Sequence, residues 1–182
     1  MNKTIVFVVL LISVFSIATT IHVKADYAVP TENRVEYTGN VHAVMEGEGI
    51  ELWSDSLTIE KVNDDWNLIK ASGNVRVTME NMNATSTELE YRLDKKIGTM
   101  KGSVEIYIVD DEVYIKADEV NFDREKEIYR GGSRDFVQIE KEDLKLKSRK
   151  FVYDRKASTM NLTGDFEAVQ IKEGEDGKKE EV

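Results

Sequence analysis

The residues of this 182-residue chain that could carry out chemistry are few, and the most prominent are two groups of carboxylates. Glu46 and Glu48 are separated by one residue, and Asp110, Asp111 and Glu112 are consecutive in the sequence. Neighbouring carboxylates can serve as a general acid and a general base, and their oxygens can bind calcium. Both groups interrupt apolar segments, however, at places where polar turns are expected. We therefore interpret them as turn residues and predict neither a catalytic residue nor a metal site.

Other nucleophiles and metal ligands are also scarce. The chain has no cysteine and only two histidines, His22 and His42, which are too few for a histidine metal cluster or a cysteine nucleophile site. Three serines, Ser54, Ser86 and Ser148, recur at equivalent positions along the chain. A residue that repeats with the fold indicates a structural role and not a single nucleophile. We expect no enzyme activity and no cofactor.

The charge of the chain excludes one class of partner. Its formal net charge at pH 7 is −10, and the two lysines among the first 25 residues are its only charged groups there. A strongly acidic protein repels the phosphate backbone, so we expect no nucleic-acid partner. The absence of cysteine excludes disulfides, and a domain without disulfides requires a sizeable apolar core.

The N-terminus has the layout of a secretory signal peptide. Lys3 supplies a positive charge, Ile5–Ile21 is uncharged and largely apolar, and Val23–Ala25 has the small-x-small pattern of a cleavage site. These features predict a signal peptide over residues 1–25, with Asp26 as the mature N-terminus outside the cytoplasm. The alternative is an uncleaved membrane anchor with the rest of the chain also outside the cytoplasm, because about 18 apolar residues are just enough to cross a bilayer.

The rest of the chain is dominated by an internal repeat. A block that reads small, polar, polar, apolar, polar or small, apolar begins at residues 54, 86, 117 and 148. A second series of motifs alternates with it: Gly39-Asn40-Val41, Gly73-Asn74-Val75, Gly102-Ser103-Val104 and Gly164-Asp165-Phe166, with an irregular Gly131-Gly132 between the last two. A fixed period of about 31 residues is typical of a repeat architecture.

Each repeat predicts short antiparallel strands. Residues 87–117, for example, alternate apolar and polar side chains and are divided by the polar turn at 94–96, by Gly102-Ser103 and by Asp110-Asp111. A period of two indicates strands, and tight turns make neighbouring strands antiparallel. Four strands a repeat give about sixteen short strands in one all-β domain over residues 26–172. The charged residues 173–182 are predicted to be a disordered tail.

The parity of the repeat predicts which side chains point inward. The predicted interior consists of Val41, Leu57, Ile59, Val75, Val77, Leu89, Tyr91, Val104, Ile106, Val120, Phe122, Phe151, Tyr153 and Phe166. Periodicity alone is compatible with two kinds of interior, an ordinary closed core or a groove that holds an apolar ligand. Trp53 and Trp66 are compatible with either lipid contact or ordinary packing.

The two repeated motifs together resemble the OstA-like family, which includes LptA, LptC and the periplasmic N-terminal part of LptD. The resemblance rests on Val35–Val41, Trp53–Ile59, Ala71–Val77, Ala117–Val120 and Leu162–Phe166, and extends over roughly residues 33–171. A leader, one repeat domain and a short charged tail are most similar to the LptA branch. The resemblance implies an elongated, twisted β-jellyroll that lies in the periplasm, free or anchored to the inner membrane, and binds lipopolysaccharide with the acyl chains of lipid A in its interior.

The resemblance also implies partners. Jellyrolls of this family pair through their terminal strands into a bridge from the inner to the outer membrane, for outer-membrane assembly. The terminal strands expected here carry Tyr37 and Val41 at one end and Phe166 and Val169 at the other. An LptC-like protein at the inner membrane, an LptD-like protein at the outer membrane and a second copy of this chain are the implied partners. Two alternatives remain: an inner-membrane anchored LptC-like component, and a structural β-repeat protein with a closed core and no lipid ligand.

Overall fold

The computed structural model describes residues 20–173 and 179–181, with side-chain burial described up to residue 171. Most of the predicted signal peptide (residues 1–19), and residues 174–178 and 182 of the predicted tail, lie outside the described residues. The described part contains thirteen strands: β1 (Thr20–Lys24), β2 (Tyr27–Pro30), β3 (Arg34–Glu46), β4 (Ile50–Val62), β5 (Asp65–Met79), β6 (Met82–Arg92), β7 (Ile97–Ile108), β8 (Val113–Asp123), β9 (Ile128–Lys141), β10 (Leu144–Asp154), β11 (Thr159–Thr163), β12 (Glu167–Glu173) and β13 (Lys179–Glu181). None of the described residues forms a helix long and apolar enough to span a membrane.

All pairings between these strands are antiparallel, which confirms the predicted all-β fold. The strands follow one another in the order β1-β3-β4-β5-β6-β7-β8-β9-β10-β12-β13, while β2 pairs with β3 and β11 pairs with β10. From β3 to β10 each strand is therefore joined to its spatial neighbour by a tight turn. Such local connections follow directly from the short polar turns in the sequence.

The strands do not end at the Gly-Asn motifs, as the sequence predicted, but continue through them with a bend. At Gly73-Asn74, in the middle of β5, both residues have positive φ, 74° and 46°, and the register with β4 and β6 shifts there. Glycine and asparagine adopt this left-handed conformation with little strain. Each of the eight long strands β3–β10 is bent near its middle, which accounts for the sixteen short segments that the repeat predicts.

The serine motif bends the alternate strands in a different way. In β4, Ser54 is buried, Asp55 has no strand partner on either side, and the next inward residue is Leu57, so the inward-facing parity changes from even to odd. The Ser54 hydroxyl donates a hydrogen bond to the Ser56 carbonyl at 2.9 Å, across Asp55. The equivalent hydrogen bonds of Ser86 and Ser148 are also 2.9 Å long. The repeated serines are therefore structural parts of the bend.

The bends fold the single sheet into two leaves that face each other. A strand such as β3, with 13 residues, would span about 43 Å if straight. Instead, turns at opposite ends of the strands come into hydrogen-bond contact, for example Arg124 with Glu48. We call the leaf that ends in the turns 47–49, 80–81, 109–112 and 142–143 the first leaf. The leaf that ends in the turns 63–64, 93–96, 124–127 and 155–158 is the second leaf, and the two rows of turns form the rim.

The interior between the leaves is one continuous apolar core. Thirteen of the fourteen predicted interior residues are buried in it, each at most 6% exposed. Phe166 was predicted wrongly, because it is 60% exposed. It lies in the connection between β11 and β12, two strands that pair with different halves of β10, and this connection runs outside the core.

The terminal strands also differ from the prediction. Tyr37 and Val41 lie in β3, which pairs with β4 on one side and is covered by β1 and β2 on the other, so they are not on an edge. The segment Thr20–Lys24, which the sequence placed in the signal peptide, forms β1. At the other end Val169 lies in β12, and Lys179–Glu181 pair with β12 as β13, where the sequence predicted no structure.

The bend at Gly73 makes a prediction about stability. A Cβ at this position would lie 2.3 Å from Asp55 Oδ2 and 2.8 Å from Asp55 Cβ, in addition to the strain of the positive φ. We expect Gly73→Ala to lower the free energy of unfolding by about 2–4 kcal/mol in urea denaturation. Gly49→Ala is the matched control, because Gly49 also has a positive φ (61°) but nothing lies within 4 Å of its added Cβ. A loss of about 1 kcal/mol is expected there, and equal losses at both sites would refute the crowding at the bend.

Candidate functional site: the interior and its rim

The interior of the second leaf is aromatic close to the rim. The rings of Tyr91 and Phe122 stack with centroids 5.9 Å apart and an interplanar angle of 14°, and those of Tyr129 and Tyr153 lie 6.3 Å apart. All four side chains are buried. The hydroxyls of Tyr91 and Tyr153 reach the turns, where they form hydrogen bonds with Arg124 and Asp111. The apolar interior thus ends in a polar boundary at the rim.

A first ion pair joins the two leaves across this boundary. Arg124, in a turn of the second leaf, donates from Nη1 to Glu48 Oε2 at 2.9 Å and from Nη2 to the Glu48 carbonyl at 2.8 Å. The same guanidinium contacts the Tyr91 hydroxyl at 3.1 Å. Glu48 lies in a turn of the first leaf, and its side chain is only 13% exposed. Arg124 therefore connects the rim of one leaf to the rim of the other.

A second, larger ion-pair group does the same further along the rim. Arg155, in the second leaf, donates to Asp110 Oδ2 at 2.6 Å and to Asp111 Oδ2 at 3.0 Å, both in a turn of the first leaf. It also donates to Glu127 Oε2 of its own leaf at 3.0 Å. The Tyr153 hydroxyl donates to Asp111 Oδ2 at 2.7 Å. We call these two groups the Arg124 clasp and the Arg155 clasp.

The tyrosine hydroxyls of the clasps remain protonated at physiological pH. Burial raises the pKa of Tyr91 above its usual value, although the hydrogen bond from Arg124 opposes this. Burial and the hydrogen bond to Asp111 together raise the pKa of Tyr153 well above its usual value. Burial also raises the pKa of Tyr129. The aromatic residues therefore contribute neutral hydroxyls to the rim and add no charge to the interior.

The clasps change the interpretation of the carboxylate groups found in the sequence. Glu48, Asp110 and Asp111 do lie in turns, as predicted, but they are ion-paired across the rim and not simply solvated. Sequence reasoning missed Arg124 and Arg155 altogether. Their only signal is that both follow an aspartate in equivalent turns, Asp123-Arg124 and Asp154-Arg155. Among the described residues, no three histidine, aspartate or glutamate side chains converge closely enough to hold a metal ion.

The two tryptophans lie outside the interior. Trp53 is on the outward face of β4, stacked on His42 with ring centroids 5.0 Å apart, with the Arg76 guanidinium 4.5 Å from its ring centre. Trp66 is 39% exposed, and Lys61 Nζ lies 5.1 Å from its ring centre. Both are therefore packed against polar neighbours on the outer surface.

The protein is a single antiparallel sheet that is folded over an apolar interior. The sheet is bent at regular glycine and serine motifs, and ion pairs join its two leaves at the rim. This architecture is that of a β-jellyroll of the OstA type. The comparisons agree with this class. Residues 21–128, more than half of the chain, match the family model described as LptA/(LptD N-terminal domain) LPS transport protein. The chain belongs to this family of lipopolysaccharide transport proteins.

Solved structures show the same fold. The chain is similar to the crystal structure of LptH, described as the LptA homologous periplasmic component of the conserved lipopolysaccharide transport device from Pseudomonas aeruginosa. The TM-score is 0.57 at 14% sequence identity, and the match covers 63% of this chain and 82% of LptH. No curated protein matches the chain by sequence. At this identity the likeness to LptH concerns the fold alone.

Proposed function

We propose that this protein binds lipopolysaccharide in the periplasm and shields the acyl chains of lipid A between its two leaves. The observation that carries the proposal is the continuous apolar interior, which is bounded by clasps and not by a closed hydrogen-bonded sheet. The thirteen inward residues named above would contact the acyl chains. The Arg124 and Arg155 clasps lie where a lipid entering from the rim would pass between the leaves.

The energetics of this mechanism are favourable if the lipid replaces contacts between the leaves. The interior side chains are almost completely buried, so acyl chains can enter only when the leaves move apart. When the two leaves separate, the apolar surface of each would be covered by lipid and would not be exposed to water. The remaining cost is that of opening the clasps, about 1 kcal/mol for each partly exposed ion pair. An acyl segment of twelve methylenes gains about 10 kcal/mol on burial, which exceeds that cost.

The proposed route includes export and assembly into a bridge. The N-terminal leader would direct the chain to the periplasm. The leader would be cleaved in an LptA-like protein and retained as an anchor in an LptC-like one.

Assembly would use the strands at the ends of the sheet, because an edge strand offers unpaired N–H and C=O groups to another chain. At the N-terminal end these are β1 and β2, where Tyr27 is 73% and Val29 58% exposed. At the C-terminal end β12 carries Val169, beside the exposed Phe166. An LptC-like protein, an LptD-like protein and a second copy are the proposed partners.

A structural β-repeat protein without a ligand is the second candidate function. The tight burial of the interior favours it, since a closed core of this kind is sufficient to stabilise the domain. The two functions differ in one property, namely whether an amphiphile with long acyl chains enters the interior.

Binding of lipopolysaccharide to the purified protein tests the proposal. We expect a fluorescent acyl probe to bind and to be displaced by lipopolysaccharide. Arg155→Met should accelerate probe uptake about thirtyfold, because it removes the two ion pairs to Asp110 and Asp111 of the first leaf, about 1 kcal/mol each, and so lowers the cost of opening. Arg130→Met is the matched control, since Arg130 is exposed on the outer face of β9 next to the inward Tyr129 and belongs to neither clasp, and its uptake rate should equal that of the unmodified protein. If neither the probe nor lipopolysaccharide binds, the ligand-free structural function is correct.

A further inference from the structure

We propose that signal peptidase cuts this chain after Ala18 and not after Ala25, so that strand β1 is retained as the first strand of the mature fold. The inference rests on the proposed export of the chain. Its evidence comes from β1 and from the sequence on either side of it. It also extends the internal repeat by one copy toward the N-terminus.

The sequence around Ala25 is a copy of the repeat. Val23-Lys24-Ala25-Asp26 matches Ile115-Lys116-Ala117-Asp118, the corresponding segment at the bend of β8. Ala25 precedes Ser54 by 29 residues, close to the spacing of the repeated blocks. The small residues in Val23-Lys24-Ala25 are therefore explained by the bend of a strand, which requires a small inward residue, and a cleavage site is not needed to explain them.

Asp26 makes the same contacts as its counterpart Asp55. The Asn40 side-chain amide donates to Asp26 Oδ2 at 2.9 Å, and the Asn74 amide donates to Asp55 Oδ2 at the same distance. The aspartate also packs against the adjacent glycine in both copies: a Cβ on Gly39 would lie 2.4 Å from Asp26 Oδ2. The Asp26 N–H donates to the Gly39 carbonyl at 2.9 Å. Asp26 thus occupies a bend, with β1 before it in the first leaf and β2 after it in the second.

Strand β1 is integrated into the sheet and the core. Its five residues pair antiparallel with residues 42–46 of β3. Ile21 and Val23, together with Ala25, are partly buried against the core. The family match also begins at residue 21, inside the segment that a cut after Ala25 would remove. A cut there would leave half of β3 without its neighbour and would uncover Ala43 and Met45, which are now 0% and 1% exposed.

The sequence offers a suitable cleavage site upstream of β1. Ser16-Ile17-Ala18 has the small-x-small pattern, and Ile5–Ser16 gives an apolar segment of 12 residues before it. An apolar segment of about 7–15 residues is typical of a signal peptide. Cleavage after Ala18 would leave Thr19 as the first residue, immediately before β1. Residues 1–19, which include this site, lie outside the described residues.

The test is the N-terminus of the full-length chain after export in a Gram-negative host, measured by intact mass of the periplasmic protein. A mature chain that begins at Thr19 supports the inference, and one that begins at Asp26, seven residues shorter, overturns it. Retention of the whole leader also overturns it. Lipopolysaccharide binding by the same purified protein is measured separately, so the proposed function can fail or succeed independently.

Two substitutions give a matched comparison. Ala18→Leu should cause loss of the processed form and accumulation of the precursor, whereas Ala25→Leu should leave the N-terminus at Thr19. The reverse pattern overturns the inference. A variant in which the leader is joined directly to Asp26, without residues 19–25, should have a melting temperature about 5–10 °C lower, because it lacks β1. An unchanged melting temperature would show that β1 is not part of the mature fold.

Discussion

Joining the two rows of turns covalently across the rim should abolish the uptake of acyl chains. The chain contains no cysteine, so the double variant Glu48→Cys/Arg124→Cys introduces a single pair of thiols, at the Arg124 clasp. A short bismaleimide that spans this pair would fix the first leaf to the second. If lipid enters between the leaves, we expect at least a tenfold loss of affinity for the acyl probe, because the leaves can no longer separate, equivalent to about 1.4 kcal/mol or more.

The control for this experiment is the same double variant treated with a monofunctional maleimide. Its thiols are blocked and the Arg124–Glu48 ion pair is absent, but the leaves remain free to move, so it should bind the probe at least as well as the unmodified protein. Binding that survives the cross-link would place the lipid on the outer surface of the sheet, or would mean that the leaves open elsewhere. A second cross-link at the Arg155 clasp, in Asp110→Cys/Arg155→Cys, separates these two explanations.

The sequence predicted the fold well because its main signals are local. The alternation of inward and outward residues depends only on neighbouring positions, and it correctly placed thirteen of the fourteen interior side chains. The bends were found as motifs but interpreted as strand ends. Gly73-Asn74 interrupts the alternation in the same way whether the strand ends there or bends and continues. Only the pairing of β5 on both sides of the motif distinguishes these two possibilities.

The rim could not be predicted because its contacts are not local. Arg124 and Glu48 are 76 residues apart in the sequence, and they meet only because the sheet is folded over and twisted. The repeat gives the position of each turn within its own hairpin, but not which turn of the opposite leaf it will face. The two ends were misplaced for a related reason. The first repeat copy, at Ala25, has no complete motif before it and overlaps the pattern of a cleavage site.

The packing of the interior can be tested with two neighbouring substitutions in β7. Ile106 is fully buried, whereas Tyr107, the next residue, is 41% exposed on the outer face. Ile106→Asp should lower the free energy of unfolding by about 4 kcal/mol or more, because it places a carboxylate among apolar side chains without a partner. Tyr107→Asp should lower it by no more than about 1 kcal/mol, since it loses only cross-strand contacts at the surface. Urea denaturation followed by circular dichroism measures both.

The comparison between these two variants also bears on how lipid enters. A large difference means that the leaves are packed together in the absence of lipid, so that uptake requires the clasps to open and the cross-linked protein should not bind. If Ile106→Asp is as stable as Tyr107→Asp, water already reaches the interior and the protein has an open groove at rest. In that case the clasps would not control entry, and cross-linking position 48 to position 124 should leave binding unchanged. The two experiments therefore have to agree, and a stable Ile106→Asp variant together with a cross-link that blocks binding would contradict the mechanism.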